Sequence, residues 1–213
     1  MRKLVSLLLM AAVGILVLGS AALAEGFNVG GDYSVMHNSS DNTSIQFATV
    51  GGEFTRDAFL VGGKYQTALG YDPEQTFARE DSLLMIYGGY RLLHEKQFSL
   101  AAVAGYCQWE TDVAADFSIR VNTTALGVKG GAKLGPVNIS LTYLYGVSNY
   151  AEISLGGTDF GSNDNDVSLL ELKGTYAIAK SADLYATYRS YNYSTTADST
   201  TVSGFGVGCA FKL

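Results

Sequence analysis

Past residue 24 the chain has no unbroken apolar run long enough to cross a bilayer as a helix. It also has only two prolines, two cysteines, two histidines and one tryptophan in 213 residues. Each shortage excludes something. Helical spans are excluded after residue 24. Pro73 and Pro136 leave long stretches uninterrupted, so a missing amide donor interrupts no ladder between them. His37 and His94 are too few and too far apart for a shared metal or catalytic site, and no metal or other cofactor is expected. Charge is sparse at 16% of residues, and basic charge sparser still. Setting Arg2 and Lys3 aside leaves 12 basic against 20 acidic residues, a formal charge of -8, where a nucleic-acid partner would want the opposite sign. No repeat at solenoid period and no linker-like break divides the chain.

Residues 1–24 carry Arg2 and Lys3, an apolar run from Leu4 to Leu18, and small residues around Ala22-Leu23-Ala24. That is the layout of a secretory signal cleaved after Ala24, the run being short for a membrane anchor. Residues 25–213 then form one domain. The whole chain is rich in glycine (25) and tyrosine (14), and the β-branched and aromatic residues of this domain recur at alternate positions. The alternation predicts ten strands, with eight as the other possible count: residues 27–37, 43–54, 59–70, 82–92, 97–109, 117–134, 137–147, 167–178, 183–193 and 201–213. The clearest is VNISLTYLYGV, where Val137, Ile139, Leu141, Tyr143, Tyr145 and Val147 share one face, and Asn138, Ser140 and Thr142 the other.

Short turns are expected after the even-numbered strands and longer polar loops after the odd-numbered ones, the longest over residues 148–166. Acids gather by the long loops, where Arg79 is the one basic residue expected, whereas Arg56, Lys96, Lys133, Lys180 and Lys212 mark the other side. An even-stranded closed antiparallel up-and-down transmembrane β-barrel gives this two-sided layout. A soluble β-sandwich or lipocalin-like protein is the rival. The tail GFGVGCAFKL alternates to its last residue, which a strand paired at both edges and half facing lipid explains. In this the chain resembles the small outer-membrane β-barrel proteins of Gram-negative bacteria, the group of the OmpA transmembrane domain, opacity-type proteins and OmpW. It differs from their usual terminal Phe or Trp by ending in Leu213, with Phe211 two before it. The resemblance implies residence in the bacterial outer membrane, contact with its lipid and lipopolysaccharide, and a C-terminal strand read by the barrel-assembly machinery. Tyr65, Tyr143, Tyr145, Tyr176 and Tyr188 would contribute to interfacial girdles.

Strand parity places Asp32, Glu53, Lys64, Lys129, Glu171, Lys173 and Arg189 toward the lumen, while Arg91 lies on a strand apolar on both faces and its side is ambiguous. Glu152, Asp159, Asp164 and Asp166 are surface-loop candidates, without the spacing of a calcium loop. His37-Asn38-Ser39 superficially resembles the His-x-Ser pair of outer-membrane lipid A deacylases, but it ends the first strand and no Glu partner is placed, so the expectation is that the protein is not an enzyme. Cys107 and Cys209 fall on strands roughly opposite around the barrel and near opposite ends, so two free thiols are expected. The function expected is structural or surface-interacting, through acidic extracellular loops whose ligand is unknown. A narrow porin-like channel is the alternative, and an outer-membrane enzyme a distant third.

Overall fold

Residues that alternate between polar and apolar can satisfy both a lipid face and a lumen only if every strand edge is paired. The computed structural model describes residues 26–40, 42–71, 80–114, 117–155, 158–162, 165–195 and 199–213. The expected export signal lies outside them. Eleven strands follow one another: β1 (Phe27–Asn38), β2 (Thr43–Arg56), β3 (Phe59–Tyr71), β4 (Glu80–His94), β5 (Phe98–Ala114), β6 (Phe117–Leu134), β7 (Val137–Leu155), β8 (Thr158–Ser162), β9 (Asn165–Ala179), β10 (Ala182–Thr195) and β11 (Ser199–Lys212). Sequential neighbours pair antiparallel except β8 and β9, β7 pairs with β9, and β1 pairs with β11 from Asn28–Lys212 to Asn38–Val202, closing a ten-stranded barrel. The short β8 stands outside that ring and pairs only with Ala151 to Leu155 of β7.

Gly26, where the described residues begin, Leu213 and the turns at Asp57, Glu95, Gly135 and Ser181 lie at one end, here the terminal end; the other is the distal end. Asp57 and Gly135 take positive φ (52° and 61°), the left-handed conformation that Asp tolerates and glycine adopts without cost.

The distal end corrects two expectations. Of the residues assigned to long loops, 110–114 are the end of β5 and most of 148–166 are strand, whereas the β1–β2 connection stays a loop at residues 39–42 and residues 72–79 lie outside the described ones. The supposed loop 148–166 contains the end of β7, all of β8 and the start of β9, because a hairpin pairs the amides that a loop of that length would leave open. The barrel strand count is the expected ten, with β8 an addition. Arg91, whose side was ambiguous, reaches the rim of the terminal end, donating to the Asp57 carbonyl at 3.3 Å next to a bulge in β4.

The outer surface is the inverse of a soluble protein's. Phe205 (72% exposed), Val207 (65%), Leu92 (64%) and Phe59 (63%) face outward with many other large apolar side chains. On β5 the outward apolar stretch runs from Phe98 to Tyr106 and on β6 from Leu126 to Leu134. About nine residues is what a tilted strand needs to cross hydrocarbon. Beyond it the face turns polar, first at Tyr106, whose hydroxyl donates to Asn122 at 2.7 Å, then at Glu110, Arg120 and Glu152, which stand directly opposite one another on β5, β6 and β7. Strands therefore continue past the lipid band as a distal extension. Tyr143, Tyr145 and Tyr176 face outward and exposed, whereas Tyr65 and Tyr188 are half-buried on the same face.

Candidate functional site

The lumen has two compartments. Its distal half is filled by one apolar cluster to which all ten barrel strands contribute. Met36, Ile45, Phe47 and Leu144 are at most 1% exposed at its centre, and Leu83, Met85, Leu169, Tyr191 and Val202 pack around them. The cluster also runs down the β3–β5 wall to Leu60, Ala101 and Val103. Trp109 packs against it edge-on to Tyr191 at 5.4 Å, its indole donating to Thr111 at 2.9 Å. Gln66, fully buried, joins the plug to the charged half below: Tyr191 donates to its carbonyl oxygen at 3.1 Å, and its amide donates to the Met36 sulfur at 3.4 Å.

The terminal half holds a cavity of about 350 Å³ lined by charge. Arg189 is central. Its guanidinium donates to both carboxylate oxygens of Asp32 (2.7 and 2.6 Å), to Thr49 Oγ1 (3.1 Å) and, through Nε, to Glu171 Oε2 (2.7 Å). The same Glu171 oxygen accepts from Lys64 at 2.7 Å. A second group joins Lys129 to Glu53, with the Tyr87 hydroxyl donating to Glu53 at 2.5 Å. At the mouth, Lys212 pairs with Asp183 at 2.7 Å. Asp32 and Arg189 are nearly sealed, with side-chain exposures of 1% and 4%, so their mutual satisfaction is required rather than optional.

Close approach across the ladder makes this packing possible. Tyr87 lies over its cross-strand partner Gly62, where an added Cβ would come within 2.5 Å of the ring; Tyr185 lies likewise over Gly208 at 2.7 Å. Gly62→Val is accordingly expected to displace Tyr87, break its bond to Glu53 and lower stability by about 1–3 kcal/mol in denaturant unfolding. Gly174→Ala, at a position with nothing within 4 Å, is the matched control and should leave the midpoint unchanged.

All seven lumen candidates line this cavity: Asp32, Glu53, Lys64, Lys129, Glu171, Lys173 and Arg189. The surface candidates lie elsewhere than expected. Glu152 is on β7, Asp159 on β8 and Asp166 on β9, while Asp164 lies outside the described residues. The Asp166 carboxylate accepts from the Tyr145 hydroxyl at 2.9 Å. Arg79 lies outside the described residues, but a basic residue not expected on this side stands there: Arg120 donates to Glu110 at 2.9 Å and sits 3.9 Å from Glu152, and its hydrogen bond to Glu110 raises its pKa further. Sequence reading missed the inward tyrosines, assigning tyrosine only to girdles, and missed the plug. The available signal was strands apolar on both faces, such as LLMIYGG in β4.

Of the other candidates, His37 is exposed on β1 and Ser39 Oγ accepts from the Thr201 amide at 2.9 Å. Cys107 faces the lumen, buried, and Cys209 faces outward, both as free thiols. Among the described residues no group of three or more His, Cys, Asp or Glu side chains is placed to hold a metal ion.

No family model matches the chain, and no curated protein does. Solved structures match with high probability. The outer membrane protease OmpT from Escherichia coli superposes with a TM-score of 0.62, at 10% identity, over 88% of this chain and 97% of that one. The fold is that of a bacterial outer-membrane β-barrel. Neisserial surface protein A (NspA) matches with a TM-score of 0.51, at 14% identity, over 88% and 97% of the two chains. The likeness to OmpT corrects the expectation that the chain is not an enzyme. That expectation rested on sequence motifs alone, and this outer-membrane barrel architecture is one that carries a protease as well as other proteins.

Proposed function

We propose that the protein is a closed outer-membrane barrel that works at its distal surface, presenting acidic strand extensions to the cell exterior with both termini in the periplasm. The observation that carries this reading is the apolar cluster, which takes a side chain from every barrel strand and packs across the lumen beyond the charged cavity. It favours a surface-interaction role over a narrow channel for small polar solutes. Glu110, Glu152 and Asp166 stand on the distal extension beyond the apolar band, with Arg120 held between two of the three, so the rim suits a cationic partner or divalent-bridged lipopolysaccharide. The alternating β11, paired along its length with β1, is the segment proposed to engage the barrel-assembly machinery.

Orientation and charge are tested together. In a Cys107→Ala/Cys209→Ala background, a cysteine replacing Tyr150 is expected to react with an impermeant maleimide in intact cells, and one replacing Lys96 only after the outer membrane is broken. In zwitterionic liposomes, the triple variant E110Q/E152Q/D166N is expected to bind a polylysine probe several-fold more weakly than the parent. Reversed labelling, or undiminished polylysine binding, would overturn the reading.

A further inference from the structure

Five cationic and four carboxylate side chains line the cavity in the terminal half, a surplus of one positive charge inside a chain that is acidic as a whole. Four of the cations are committed. Lys64 and Arg189 are taken up by Glu171 and Asp32, Lys129 by Glu53, and Lys212 by Asp183. The fifth, Lys173, rests its ammonium 3.7 Å from the centroid of the Tyr185 ring. Among the described residues no carboxylate lies within ion-pair distance of it. The ring face compensates such a charge only partly, and Tyr185 is itself fixed by its bond to Asp32 at 3.2 Å.

Uncommitted donors surround this ammonium. In the β7–β9 ladder Ser140 stands directly opposite Lys173, and Asn138 directly opposite Thr175. All four side chains line the cavity. Among the described residues, no other side chain occupies Asn138, Ser140 or Thr175. Cross-strand neighbours of this kind place their Cβ atoms about 5 Å apart, so one amide, two hydroxyls and an ammonium converge on one patch of wall. Gly30 of β1 and Gly51 of β2 also line the cavity and contribute no side chain to it. A cavity of about 350 Å³ has the size of a small-ligand site.

We infer that this cavity binds a small solute through a carboxylate or phosphate group, with Lys173 as the counter-charge and Asn138, Ser140 and Thr175 as neutral donors to its oxygens. Closure of the distal lumen gives the site one entrance, at the terminal end, so the ligand enters and leaves on that side. The inference is independent of the distal rim and of which end faces the cell exterior.

The test is calorimetric titration of the full folded chain in zwitterionic detergent with inorganic phosphate and, separately, acetate, alongside acetylation of Lys173 followed by peptide mass spectrometry. Saturable binding of at least one anion is expected, with Lys173 acetylation slowed by that anion. Lys173→Met should weaken binding tenfold or more, and N138A/S140A, which keeps the cation, three- to tenfold. Lys96→Gln, at an exposed turn, should change nothing. Saturation by phosphate alone assigns a phosphate group, and by acetate alone a carboxylate. Should Lys173→Met fail to fold, the acetylation rates and N138A/S140A decide. Absence of saturable binding, or binding equal in all variants with no protection of Lys173, overturns the inference.

Discussion

Protein folded into a planar bilayer is expected to show no steady conductance, and Phe47→Ser with Leu144→Ser is expected to create it. Both side chains are 1% exposed and approach from β2 and β7, so their truncation opens the centre of the plug and replaces apolar surface with hydroxyls. Water then has a continuous polar route from the distal end to the charged cavity. The current through the double variant should exceed that of the parent at least tenfold. Folding of the variant is checked by the different gel mobility of unboiled and boiled samples, because loss of two large core side chains costs several kcal/mol, on the order of 2–5 each. Steady openings of the same size in the unaltered protein would mean that the cluster does not seal the lumen.

Arg189→Met should give the largest loss of stability of any single substitution in the cavity, roughly 3–5 kcal/mol by urea unfolding in lipid vesicles. The size follows from what remains. Asp32 loses both of its guanidinium bonds at 1% exposure and keeps only the Tyr185 hydroxyl, while Glu171 keeps only Lys64. The charges matter more than the contacts. The triple variant D32N/E171Q/R189M removes the stranded carboxylates with the cation, so it should recover most of the loss. Equal destabilisation of the single and triple variants would show that packing of the arginine, not charge compensation, holds this part of the barrel.

Parity was enough to reach the lumen for charged residues. A buried charge on a strand whose other face is apolar has one side available, and Lys64, Glu171 and Arg189 stand on strands of that kind. Their partnership was not legible. Lys64 and Glu171 are 107 residues apart in sequence, and only closure of β1 on β11 brings β3 to within reach of β9 across the lumen. The plug was hidden for a related reason. Ile45, Phe47, Leu83 and Met85 look like lipid-facing residues in a chain read as apolar outside and polar inside, yet they fill the distal lumen. The distal strand extensions were hidden by composition. Stretches such as NYAEISL are polar enough to read as loop, but β8 pairs their backbone, which local polarity does not reveal.

The most direct test of the inside-outside assignment uses the chain's single tryptophan. Trp109 faces the lumen against Tyr191, whereas Phe205 faces outward at 72% exposure. In vesicles containing bromine-labelled lipid, fluorescence of Trp109 in the unaltered protein should be quenched little, and that of W109F/F205W strongly. Strong quenching of Trp109, or none of a tryptophan at position 205, would contradict a closed barrel with this lumen.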